Sequence, residues 1–336
     1  MPFDERVLAV VLGYNGKHWL EKCVPSLLTQ CKVLVVDNGS HDDTADYVRA
    51  AFPAAEVVRY DPGLGLGAAY NRAIATVREP YVAIVNQDTV IDDGCIARLV
   101  AVLEGDAGIG IAAPLVLNPD RSVQDRGSVL DAFGFPIPVT PPAAASTWEP
   151  LFASLCLAVI PTAWYRELGG FADYLDFFVE DVDLCWRTWQ RGRRVVVDAA
   201  ATMVHFGGGS IPGGWMRSAV STSNIRTFYR ERNTLAVHLQ DLDGWSLLRF
   251  VPRYVANSAF EALGLTLSGR RDGAWRYVMA YRSLWSLLPT ILAARKRVQR
   301  ERLVGDRGLR RFFSWRHRKL ELVMKHGLPT FEPPAR

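Results

Sequence analysis

The chain has 336 residues, 49% hydrophobic and 22% charged, with a formal net charge of +4. That balance excludes a globally disordered chain, and the length suits one enlarged α/β domain or a domain with an appendage. Five cysteines, at 23, 31, 95, 156 and 185, form no C-x-x-C pair, which argues against structural zinc or a disulfide framework and fits a reducing cytosol. The opening MPFDERVLAVVLGYN places two acids ahead of a short apolar run broken at Gly13, unlike a secretory signal.

In chain order, VLAVVL (7–12), KVLVVD (32–37), EVVRY (56–60), YVAIVN (81–86) and IGIAAPLV (109–116) are apolar runs of strand length, each followed by a polar or glycine-containing turn. Their alternation with helical patterns predicts parallel strands and crossover helices, an α/β fold of the nucleotide-binding sort. Ser40 with Asp43 predicts a capping box for a helix running to Phe52. Residues 118–150 read as a long mobile loop, because closely spaced prolines in FPIPVTPPAAASTWEP remove backbone donors. An apolar segment (153–160), a helix from Glu180 to Arg191 stopped by Gly192, and a strand RVVVDAAATMVHF (194–206) form a second block able to share the same sheet. From Asn224 the chain turns helical, apolar and basic. Arg249, Arg253, Glu261 and Arg282 interrupt its apolar runs (245–267 and 277–294), so a membrane-spanning helix is not expected. Between 295 and 325 lie 12 Arg and Lys residues against three acids. This region is expected to form either a helical layer on a membrane surface, where interleaved tryptophan and arginine suit anionic lipid, or a cap on the rest of the protein.

The strand ends carry the chemistry, because ligands of open α/β sheets sit outside the carboxyl edge. Three polar clusters fall there: Gly13-Tyr14-Asn15, Asp37-Asn38-Gly39-Ser40 and Asn86-Gln87-Asp88-Thr89. Asp37 or Asn38 can supply a donor–acceptor pair for a nucleobase edge and Tyr14 a surface for its flat face; a plain strand-ending turn is the competing reading. Asp88 stands alone among neutral neighbours, as suits a cation that gains its other ligands from substrate phosphates. Glu180, Asp181 and Asp183 open a helix behind an aromatic wall of Tyr174, Phe177 and Phe178. Apolar rings beside a carboxylate raise its basicity, as a general base requires, although acids at a helix start also interact favourably with the dipole. His205 ends a strand just before Gly207-Gly208-Gly209 and suits a metal ligand. The stretch DPGLGLGAAYN fits the dinucleotide fingerprint at Gly63, Gly65 and Ala68, with Asp88 about 25 residues on. That fingerprint belongs after the first strand, however, and here it follows the third.

Taken together, VDNGS (36–40), GLGAAYN (65–71), NQDT (86–89), GGF with FFVEDVDLCWR (169–187) and His205 resemble the inverting glycosyltransferase family 2 of GT-A fold, in its bacterial rhamnosyl- and galactofuranosyltransferase-like branch. The resemblance covers roughly residues 5–235 and implies a catalytic domain over 1–239, with a nucleotide-binding half (1–117) and an acceptor half (118–239), followed by a helical basic region (240–336). It implies donor contacts from Tyr14, Asp37, Asn38, Asn86, Gln87 and Asp88, with Gly65 and Gly67 letting backbone pass close to the nucleotide sugar and Asn71 pointing into the same pocket. Asp88 and His205 would hold Mg2+ or Mn2+ on the donor diphosphate. Asp181 would be the catalytic base, with Glu180 and Arg232 in less defined acceptor-side roles and Asn233 beside Arg232 in an Arg-Asn element. Three positions depart from the family pattern: Asn86 replaces the first metal-motif acid, Gly63 an asparagine, and Ala172 interrupts Gly-Gly-Phe-Asp.

The implied reaction is single displacement with inversion. A sugar, rhamnose being the candidate, moves from a dTDP- or UDP-linked donor to a hydroxyl of a bacterial envelope glycan or polyprenyl-linked acceptor, at the inner face of the cell membrane. The rival readings are an NAD-dependent oxidoreductase and a non-catalytic sugar- or lipid-binding protein on the same scaffold. Nucleic acid is not an expected partner, because no reading module accompanies the basic tail.

Overall fold

The computed structural model describes residues 3–207, 215–216, 219–327 and 330–331. Gly208 and Gly209 of the expected glycine run lie outside the described residues. The strands that matter are β1 (Asp4–Gly13), β2 (Cys31–Asp37), β3 (Glu56–Arg59), β4 (Tyr81–Asn86), β5 (Thr89–Ile91), β6 (Ile109–Leu117), β7 (Val123–Asp125), β8 (Ser128–Leu130), β9 (Pro136–Pro138), β10 (Thr147–Trp148), β11 (Leu157–Pro161) and β12 (Arg194–His205). The helices are α1 (Lys17–Leu28), α2 (Thr44–Ala51), α3 (Leu66–Ile74), α4 (Cys95–Gly105), α5 (Thr162–Leu168), α6 (Glu180–Gln190), α7 (Asn224–Asp241), α8 (Gly244–Leu267), α9 (Arg271–Glu301) and α10 (Arg318–His326).

The main sheet runs β10-β12-β6-β11-β4-β1-β2-β3, so the α/β expectation holds and both sequence blocks share one sheet. Strands β1, β2, β3 and β4 are parallel, while β11 inserts antiparallel between β4 and β6. Because side chains alternate across a strand, Leu8 and Val10 enter one core while Val7, Ala9 and Val11 enter the other. That explains why β1 reads as an unbroken apolar run: helices cover both faces of the sheet. On one face Leu20, Cys23, Val24 and Leu27 of α1 pack at helical spacing.

Two local expectations change. Ser40 does not cap α2; its Oγ accepts the Asn15 amide at 2.9 Å, and Asp42 Oδ1 accepts the Thr44 amide at 3.1 Å instead. Residues 118–150 are not a featureless loop, since β7 pairs with β6, β8 with β9 and β10 with β12. Pro136 and Pro138 sit at the two ends of β9, where a missing donor is tolerated, and Pro141, Pro142 and Pro150 lie outside the strands.

The C-terminal helices pack their inner faces onto the same core, through Phe250 and Tyr254 of α8 and Leu284 and Ile291 of α9. A buried charge cluster ties them down. Lys319 of α10 donates to Glu231 Oε1 of α7 at 2.8 Å and to Glu261 Oε2 of α8 at 2.9 Å.

Candidate active site

The site begins where β1 and β4 lie side by side with their neighbours β2 and β11 diverging, a topological switch point. Beyond β1, the Gln87 carboxamide brackets Tyr14: its Oε1 accepts the Tyr14 amide at 2.9 Å and its Nε2 donates to the Tyr14 carbonyl at 3.2 Å. This pins the backbone while the ring stays 41% exposed, set edge-on to His41 at 6.1 Å. Gln87 thus positions Tyr14 from a buried place and does not itself face the opening.

Asp37 is fully buried and accepts from the Ser40 amide and Arg59 Nη1, each at 3.2 Å. Asn38, expected at the base edge, is a brace. Its side chain donates to the Leu64 carbonyl and accepts the Leu64 amide, both at 2.8 Å, which uses its amide to hold the glycine loop against β2. Asn71 also departs from expectation. Its Oδ1 accepts from Tyr165 Oη at 2.6 Å and the Phe171 amide at 2.9 Å, and its Nδ2 donates to the Phe171 carbonyl at 2.9 Å and Asp173 Oδ1 at 2.6 Å. Its hydrogen-bonding capacity is therefore spent on anchoring the chain ahead of Glu180. The glycines beside it serve the same packing: a Cβ at Gly67 would sit 2.9 Å from Phe171 Cβ, and the amide following Gly65 donates to the Asp176 carbonyl at 3.1 Å.

Asp88 and His205, 117 residues apart, meet through strand register. β5 runs antiparallel to β12 with Thr89 opposite His205, so Asp88 lies at the end of that pair and its carbonyl accepts the Phe206 amide at 2.9 Å. His205 Nε2 stands 3.4 Å from Asp88 Oδ1. Gln124 sets the imidazole. Its Nε2 donates to the Asn118 side-chain carbonyl at 3.0 Å and the His205 carbonyl at 2.9 Å, so its Oε1 is the atom 2.6 Å from His205 Nδ1. Nδ1 then carries a proton, and Nε2 is the ring atom turned towards the Asp88 carboxylate. Nε2 and the Asp88 carboxylate are the two groups at this strand pair that could ligate a cation. Among the described residues no group of three or more His, Cys, Asp or Glu side chains gathers as a metal site.

Glu180 and Asp181 open α6 and line a small recess with Asn86, Tyr70, Phe171 and Ser154. Burial pushes the Asp181 carboxyl up to about 6, partly opposed by its bond to the Val182 amide at 2.8 Å. Glu180 is raised further, by burial first and by the charge of Asp181 second, and its Oε2 has no hydrogen-bond partner among the described residues. Sequence reasoning missed two companions. Asp125 of β7 is close enough to act electrostatically on both His205 and Asp181, bridging the two halves of the site, and Arg230 of α7 offsets the rise at Asp181. Neither sits in a periodic run or a recognisable motif, which is why no signal marked them.

The approach to α6 is strained. Asp176, Phe178 and Val179 have φ of +58°, +65° and +73°, a region that costs a bulky or β-branched residue on the order of 1–3 kcal/mol. Two buried residues of α7 hold this turn. Arg232 Nη2 donates to the Tyr174 carbonyl at 3.1 Å, the Leu175 carbonyl at 2.8 Å and Asp176 Oδ2 at 3.0 Å. Asn233 Nδ2 donates to the carbonyls of Leu175, Phe177 and Phe178 at 2.6, 2.7 and 2.9 Å. Arg232, expected on the acceptor side, is thus 5% exposed and acts on the turn.

A mixed sheet flanked by helices, with its polar residues gathered beyond β1, β4 and β12, is the GT-A fold of nucleotide-sugar glycosyltransferases. Residues 9–162, a little under half of the chain, match the glycosyl transferase family 2 model. The chain is 28% identical over 212 residues to a pre-mycofactocin glycosyltransferase of Mycobacterium tuberculosis, covering 61% of this chain and 43% of that protein. It is 27% identical over 229 residues to the N-acetylglucosaminyl-diphospho-decaprenol L-rhamnosyltransferase of the same organism, covering 58% and 74%. The chain thus spans less than half the length of the first relative and about three quarters of the second. Among solved structures, GalNAc-T7 with UDP, GalNAc and Mn2+ superposes with a TM-score of 0.57 at 15% identity, over 71% of this chain and 48% of that one.

Proposed function

We propose that this chain is a metal-dependent inverting glycosyltransferase that moves a sugar from a nucleotide diphosphate to an acceptor hydroxyl. The observation that carries the reading is a recess lined by Asn86, Glu180 and the partly buried Asp181, with the Asp88–His205 pair starting two residues beyond Asn86. Tyr14 offers its exposed ring to the base, with Asp37 at the same edge. Asp88 and His205 fit Mg2+ or Mn2+, since such ions take one or two carboxylates and complete their shell with substrate phosphate and water. When bound, the ion neutralises charge on the departing diphosphate.

Asp181 takes the proton from the acceptor hydroxyl as it attacks the anomeric carbon, and its raised basicity follows from burial. Glu180, protonated over the same pH range, donates or accepts towards a neighbouring hydroxyl through its unpartnered Oε2. Asp181 acting as the single base fits inversion. Catalysis is assigned to residues 1–239, with 240–336 as a helical region packed upon them. The name of the mycobacterial rhamnosyltransferase supports a polyprenyl-diphosphate-linked acceptor and rhamnose as the candidate sugar, and the UDP bound to GalNAc-T7 supports a nucleotide-diphosphate donor, here dTDP- or UDP-linked.

A thermal-shift screen of nucleotide sugars tests the donor. A ligand at 100 Kd stabilises by about 2.7 kcal/mol, so one dTDP- or UDP-sugar is expected to raise Tm by several degrees with Mn2+ and much less with EDTA. Stabilisation by NADH and by no nucleotide sugar would favour the oxidoreductase instead. Tyr14→Ala removes the proposed stacking surface; an aromatic–base contact contributes about 1–3 kcal/mol, so donor Kd should rise roughly 5- to 100-fold with kcat at saturation little changed.

A further inference from the structure

We propose that the outward face of α8, continued by that of α9, is a docking surface for an anionic lipid bilayer. The proposal gives the membrane reading above a specific surface and rests on observations separate from the catalytic site.

Helix α8 is apolar on both sides. Phe250, Tyr254, Ser258 and Leu265 are buried on its inner side. Trp245, Leu248, Val255, Phe260, Leu263 and Leu267 lie about half a turn away and are 41–79% exposed. A helix on the surface of a water-soluble protein turns polar residues outward; this one reverses the rule along roughly 33 Å, at 1.5 Å per residue. Exposed Trp275 and Trp285 extend the apolar surface on α9. No described helix is long and apolar enough to cross a membrane, so the face lies on a bilayer instead of spanning one.

Charge identifies the occupant. Residues 244–301 carry 10 Arg and Lys against three acids, Glu261, Asp272 and Glu301. Glu261 is turned inward to Lys319 and to Tyr277 Oη at 2.6 Å; Glu301 is shared between Arg191 at 2.7 Å and Arg300 at 3.7 Å, and Arg295 donates inward to the Leu239 carbonyl, which leaves the other bases of the two helices against Asp272. Arg249 lies 4.8 Å over the Trp245 ring and Arg253 lies 5.3 Å over Trp315, placing guanidinium groups beside indoles as a headgroup–acyl boundary requires. A second copy of the chain would set this basic surface against itself, which like-charge repulsion disfavours, whereas anionic headgroups neutralise it.

Flotation of the full chain with vesicles tests this without any sugar donor, so its outcome is separate from that of the transfer reading. Wild type should float with vesicles of 70% phosphatidylcholine and 30% phosphatidylglycerol, bind pure phosphatidylcholine at least ~10-fold more weakly, and lose binding several-fold as salt rises from ~0.1 to ~0.5 M. The triple variant F260S/L263S/L267S should lose at least ~100-fold in partitioning while keeping the wild-type Tm. Should that variant misfold, R271E/R282E, at two exposed positions, should instead abolish the preference for anionic vesicles. The proposal is overturned if wild type stays with the protein fraction, if it binds neutral vesicles equally, if folded variants float like wild type, or if the apolar face proves buried in a homodimer that the triple variant dissociates.

Discussion

Asp181→Asn is expected to lower kcat by about 10²–10⁴-fold, the usual contribution of a positioned general base, while donor Kd moves less than about threefold. The amide has the same shape and keeps an oxygen for the Val182 amide, so α6 should start as before. What it lacks is a basic site for the acceptor proton. The pH profile carries a second signature. Because burial raises the Asp181 carboxyl to about 6, the group is protonated and inactive below that pH, and the acidic limb of kcat/KM should fall near pH 6 and not near pH 4. Glu180 is raised further and remains protonated as Asp181 ionises, so the limb belongs to the pair as a unit. Glu180→Gln, which replaces a neutral acid without removing the base, should leave the reaction running.

Asn233→Ala is expected to have the second largest effect. Its amide holds three carbonyls of the strained turn that delivers Glu180 and Asp181. Arg232 still serves the Leu175 carbonyl, but leaving those of Phe177 and Phe178 without this donor costs about 1–3 kcal/mol of stability. More telling is the rate: displacing a catalytic group by 1 Å can cost about 10²-fold, so kcat should fall by that order while donor binding at the Tyr14 end stays near wild type. Asn233→Asp should be worse than alanine, since it turns a carboxylate towards three carbonyl oxygens. A variant that melts earlier yet keeps its kcat would reduce Asn233 to a purely structural part.

What the sequence made legible divides along a physical line. The strand runs and the polar clusters at their ends were readable because apolar periodicity and the carboxyl-edge rule are local signals. Asp88, His205 and Asp181 were picked out one by one, but the meeting of Asp88 with His205 depends on β5 lying antiparallel to β12, a pairing of distant segments that no local pattern encodes. The amides were misread for a related reason. Asn38, Asn71 and Gln87 stand at strand ends or on the first turns of a helix, where side chains can face a ligand, yet each is engaged by backbone brought in from another part of the fold. Gly63 shows the same effect from the other side. A Cβ there would lie 2.4 Å from the Asn38 carbonyl, so the departure from the family's asparagine follows from how tightly this loop is drawn against β2. Gln124 and Asp125 escaped notice because they belong to a three-residue strand in a stretch that lacks periodicity.

The central claim is metal-dependent sugar transfer through Asp181. It is tested most directly by measuring nucleoside diphosphate released from a panel of dTDP- and UDP-sugars with Mn2+ and a polyprenyl-diphosphate-linked acceptor, comparing wild type with Asp181→Asn. Release by wild type from one donor, abolished by EDTA and lowered at least ~10²-fold in the variant, is the predicted result. Release at equal rates from both proteins, or undiminished release in EDTA, would contradict it.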